Sequence, residues 1–152
     1  MKRRRMFGGF MTLAAITFCI SPIGDIGALV TESPGVSTFS KRFEFSANKE
    51  IPLDVTVGRV HFALVLVEVE SWKSGGHYLR VLLQAMNPDG HDQTLEIRAQ
   101  FLNNDGKVLA IAEGKKQVEE GESKRLRVGT NIELDPSTSV TSFDLSIRSW
   151  DD

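Results

Sequence analysis

The side chains in this sequence with chemistry to offer are three histidines, one cysteine, two acidic turns and two tryptophans. His61 falls inside an apolar run, whereas His77 and His91 adjoin turns. No His-x-His or His-Glu-x-x-His spacing brings two imidazoles to one metal. No Gly-x-Ser-x-Gly elbow presents a nucleophile, and Gly75-Gly76 alone does not make a phosphate loop. Without a base and nucleophile in a recognisable pattern, the chain does not read as an enzyme and calls for no cofactor. His61 reads as a structural or strand-edge histidine, and the other two as solvated.

Carboxylates offer a second chemistry. Asp89 and Asp92 sit in one turn, and Glu119, Glu120 and Glu122 in another. If the two turns share an end of the fold, their oxygens suit a calcium ion, although the spaced ligands of an EF-hand loop are missing. The plainer reading is a pair of solvated turns. Trp72 and Trp150, with Tyr78, offer a third possibility, a stacking surface for a sugar or peptide. Both tryptophans fall at strand ends, where the ring also serves as a core lid with its N–H at the rim.

The elements that must carry these residues follow a period of two. Ile51, Leu53, Val55 and Val57 alternate with polar partners, and Val60 to Val67 is an apolar run broken only by His61. Tyr78–Met86 and Thr94–Leu102 predict two more strands, and Asn87-Pro88-Asp89-Gly90 is a turn between them. Asn103-Asn104-Asp105-Gly106 predicts a hairpin loop leading into a short strand over 107–112. Further strands are predicted over 123–128, extending towards Leu134, and over 140–150. No stretch of helical length carries an amphipathic stripe. The expectation is an all-β, antiparallel sandwich of about seven or eight strands. Strands 78–86, 94–102 and 107–112 are expected to be consecutive neighbours, which would bring loops 87–92 and 113–122 to one end.

The first 28 residues read differently. Lys2, Arg3, Arg4 and Arg5 precede 19 uncharged residues, Met6 to Gly24, and Ser21-Pro22 then interrupts any helix. This is the layout of a secretory signal peptide, with Ile26-Gly27-Ala28 as the cleavage sequence. The same run is just long enough to be retained as a membrane anchor over residues 6–24. Cys19 as a lipid acceptor lacks the small residues that should precede it. Residues 29–38 read as a linker or an irregular first strand, and 39–152 as the sandwich domain. Four of the 18 basic residues but one of the 20 acidic ones lie before Leu29, so the remainder carries a net charge of −5. That sign disfavours nucleic acid as a partner. The only cysteine also lies in the leader, so the domain has no disulfide or thiol chemistry.

Residues 60–128 resemble the immunoglobulin-like modules of bacterial secreted and envelope proteins, in particular the FxLYD type. The likeness rests on Tyr78 to Asn87, on Leu95-Glu-Ile-Arg-Ala-Gln-Phe101, on Asp105-Gly106 before Val108-Leu109, and on the acidic turn at Glu119–Glu122. The Leu-Tyr-Asp of the name is absent, since Asn103 follows Leu102. The resemblance implies a cofactor-free module that binds or supports another envelope or extracellular protein, secreted or periplasmic, and it carries over no active-site residue. The alternative is a carbohydrate- or calcium-binding accessory module.

Overall fold

Alternating apolar residues require two sheets that share one interior, and the computed structural model, which describes residues 27–88 and 90–151, has that form. In chain order the strands are β1 (Leu29–Ser33), β2 (Val36–Glu44), β3 (Glu50–Val57), β4 (Val60–Ser71), β5 (His77–Met86), β6 (Gln93–Leu102), β7 (Val108–Val118), β8 (Ser123–Ile132) and β9 (Ser142–Asp151). A single helical turn, α1 (Pro136–Ser139), precedes β9. Five strands form one antiparallel sheet in the order β1-β2-β9-β6-β7, and four form the other in the order β3-β4-β5-β8. The described residues thus form an all-β sandwich, with nine strands where seven or eight were expected. The signal-peptide and anchor readings fall almost wholly on residues 1–26, which, with Asp89 and Asp152, lie outside the described residues.

The core is filled from both sheets by the residues that alternation singles out. Leu95, Ile97, Ala99 and Phe101 of β6 are buried beside Phe143, Leu145 and Ile147 of β9, facing Val65, Val67, Leu79, Val81 and Leu83. Each large side chain moved from water into this interior contributes about 1.5–3 kcal/mol. Phe43, Phe143 and Phe101 occupy one transverse row across β2, β9 and β6. Phe43 and Phe143 stack at 5.2 Å, Phe143 meets Phe101 at 5.9 Å, and Phe45 stands edge-on to Phe101.

Three expectations need correction. Residues 29–38 form β1, a turn and the start of β2, a regular hairpin with Leu29 opposite Ser40 and Ser33 opposite Val36. The strand after the Asn-Asn-Asp-Gly loop runs on to Val118, although Glu113 to Gln117 read as loop. Its inner side is Ala112, Gly114 and Lys116, and a lysine stem can cover apolar surface while its ammonium reaches water. Lastly, β5 and β6 are not neighbours, because loop 87–92 carries the chain from one sheet to the other.

Candidate functional site

Loops 87–92 and 119–122 nevertheless meet at one end of the sandwich, and Asn87 joins them. It is fully buried, and its Nδ2 donates to the carbonyls of His91 (2.9 Å) and Val118 (3.1 Å). Its own N–H donates to the Glu122 carbonyl, and its carbonyl accepts from Gly121 N–H. Asp92 and Glu122 spend their carboxylates on the backbone. Asp92 Oδ1 accepts the Glu120 N–H at 3.0 Å, and Glu122 Oε2 accepts the Glu119 N–H at 3.0 Å. Lys124, 2.7 Å from Glu122, and that amide hold the Glu122 carboxyl below its ordinary range. The turns therefore converge as protein-to-protein contacts. Among the described residues no group of three or more His, Cys, Asp or Glu is placed to hold a metal.

Beside them is a buried polar latch that sequence inspection missed. Gln93 and Ser149 are each 1% exposed, and Ser149 Oγ donates to Gln93 Oε1 at 2.7 Å. Gln93 Nε2 donates in turn to the Asp151 carboxylate, which also meets Arg59 Nε at 3.5 Å. The hydrogen bond from Gln93, and after it the Arg59 charge, hold the Asp151 carboxyl below the aspartate range. Gly58, in the β3–β4 turn at φ +63°, lies against this group. A Cβ there would stand 2.7 Å from Ser149 Oγ and 2.9 Å from Gln93 Oε1. Three stretches that are distant in sequence are tied together here. The faint signal was polar residues at 93 and 149 in strands whose register demands apolar ones.

The histidines are scattered. His61, half-buried on β4, lies 3.4 Å from Thr56 Oγ1 and 3.6 Å from Asp54, while His77 Nδ1 is 2.9 Å from Ser71 Oγ at the far end of the sheet. His91 is exposed in loop 87–92. The tryptophans do not make one platform with Tyr78. Trp150 pairs with Thr94 and Val36 at the end that holds the latch, and Lys115 Nζ lies 5.6 Å from its ring centroid. Trp72, 44% exposed, follows Ser71 at the opposite end and packs on Gly76.

Sheet margins are further places for recognition, since an unpaired strand edge is a row of free donors and acceptors. The β3 margin is guarded: Pro52 has no N–H, Asp54 adopts φ +46°, and a bulge separates Pro52 from Val55. The β7 and β8 margins lie side by side, along a groove lined by Lys115, Lys116, Lys124, Arg125 and Arg127, and lysine on an edge opposes strand addition. β1 has neither device. Among the described residues it pairs only with β2, all five of its residues are exposed, and Leu29 and Val30 face solvent.

No family model and no curated protein matches the sequence. Three solved structures with similar stretches are distant. A β-glucuronidase of glycoside hydrolase family 2 shares 20% identity over 45% of this chain, at TM-score 0.39, and the chain spans only 7% of that enzyme. The structural genomics target SoR45 matches over 51% of this chain and 64% of its own, at 15% identity and TM-score 0.36. A DUF1425 family member from Shewanella sp. PV-4 matches over 80% of this chain and 94% of its own, at 13% identity and TM-score 0.39.

Proposed function

We propose that this chain is an exported, non-catalytic immunoglobulin-like module, of the FxLYD type, that binds another envelope or extracellular protein by strand pairing at β1. What supports the reading is the contrast among the sheet margins. Among the described residues β1 alone offers a margin that is regular, uncharged except for Glu32, and open along its length, which suits an extended segment of a partner. The basic-then-apolar leader supports export. The test uses two proline variants, Val30→Pro and Thr31→Pro. Neighbouring N–H groups on a strand point in opposite directions, so one of the two removes an outward donor while sparing the pairing with β2. A specific envelope protein is expected to co-purify with the wild type and to be lost from that variant. The proposal fails if no protein partner is recovered or if both variants retain it. Calcium- or glycan-dependent binding in its place would establish the accessory-module alternative.

A further inference from the structure

The outer face of the four-stranded sheet has a charge order that points to a specific occupant. Alternation leaves Glu50, Leu66, Leu82 and Arg127 on this face, and register puts them in one row across β3, β4, β5 and β8. The row reads acid, apolar, apolar, base, with Leu66 half-buried and Leu82 only 4% exposed within its own sheet. Neither Glu50 nor Arg127 has an ion-pair partner among the described residues. Leu64 lies two residues from Leu66 on the same face, and on β5 Gln84 separates Leu82 from Met86, which is 44% exposed. One row further on, Glu68 of β4 stands beside Arg80 of β5, so acid again lies on the β3–β4 side and base on the β5–β8 side.

We infer that this face binds a second copy of the same chain about a two-fold axis parallel to the strands between β4 and β5. Such an axis lays β3 of one copy over β8 of the other, and β4 over β5. Glu50 then faces Arg127 of the second copy, Leu66 faces Leu82, and Glu68 faces Arg80, each contact made twice as an isologous interface requires. A two-fold along the row would instead set Glu50 on Glu50 and Arg127 on Arg127, so like charges select the first arrangement. Four strands about 4.8 Å apart and ten residues long at about 3.3 Å make a face on the order of 600 Å². That is somewhat below the roughly 800 Å² per partner of a standard interface, which suits a dimer in the micromolar range. The β1 margin lies in the other sheet and stays free.

Sedimentation equilibrium of the purified full chain at up to about 200 µM, well above a micromolar dissociation constant, is the test. Glu50→Arg and Arg127→Glu each place like charges across the axis and should weaken the dimer about tenfold or more. The double variant restores both pairs in reversed sense and should recover wild-type affinity to within about threefold. Both side chains are at the surface, and an unchanged thermal midpoint shows that each variant folds. Leu66→Asp, which charges the centre of the row, should abolish dimerisation independently of the swap. A wild type that stays monomeric, a dimer indifferent to the single reversals, or a double variant no tighter than the singles would each overturn the inference.

Discussion

The two ends of this sandwich are closed by opposite chemistries. At one, Phe43, Phe143 and Phe101 form an apolar row stitched by backbone bonds from Phe45 to Thr141 and from Thr141 to Leu102. At the other, Gln93, Ser149, Asp151 and Asn87 form buried or half-buried polar ties among segments far apart in sequence. The aromatic end tolerates imprecision, because apolar contact is not directional. The polar end does not, because a displaced partner leaves a buried donor or acceptor unsatisfied. Large losses at the aromatic end should therefore need large truncations, whereas at the polar end a single methyl group should suffice.

The sharpest contrast sets Phe143→Ala against Gly58→Ala. Deleting the middle ring should cost about 3–5 kcal/mol in urea unfolding through lost burial and a cavity. Adding one methyl at Gly58 should cost about 2–4 kcal/mol, because φ is positive and the Cβ would force Ser149 and Gln93 apart. Asn87→Ala comes next. It leaves the His91 and Val118 carbonyls without their donor and should cost about 2–3 kcal/mol. Gly106→Ala is the control for backbone strain alone. Its φ is +75°, positive like that of Gly58, but open space surrounds it, so a cost of about 1 kcal/mol is expected. If Gly58→Ala costs no more than Gly106→Ala, the polar end is not a latch.

The smallest effect is in acid. Asp151 at the polar end and Asp135 beside α1 both have carboxyl pKa values below the ordinary 3.8, the first through Gln93 and the second through Ser137. A depressed folded-state value means stabilisation that is present above the ordinary value and lost as pH falls through the folded one. Asp151→Asn and Asp135→Asn should each flatten the acid limb of a stability-versus-pH curve. Neither should change the slope above neutrality.

The apolar half of the comparison was legible from residues alone. Leu95, Ile97, Ala99 and Phe101 announce a buried face, and the turn at Asn103–Gly106 is closed by Asn103 Oδ1 accepting from Asp105 and Lys107 N–H, a bond within five residues. The polar half was not legible. Gln93 and Ser149 each fall on the inward side of their own strand, but they are 56 residues apart and nothing in either strand names the other as its partner. The convergence of the acidic turns was foreseen from a topology that the structure replaces, since the strands flanking loop 87–92 lie in different sheets. Pattern along one strand reports which way a side chain points, but not which distant strand it meets. For that reason Trp72 and Trp150 could be grouped on paper although they stand at opposite ends.

The position of β9 also has a consequence in time. It lies between β2 and β6, pairing Val36 to Trp150 and Glu44 to Ser142, so it joins segments about a hundred residues apart. Contacts this distant in sequence make folding slow, because loop closure must precede the reward. During synthesis β2 and β6 have no common neighbour, and the aromatic row lacks its middle ring, until Ser142–Asp151 has emerged. The five-stranded sheet is thus assembled after translation of its central strand rather than along with it.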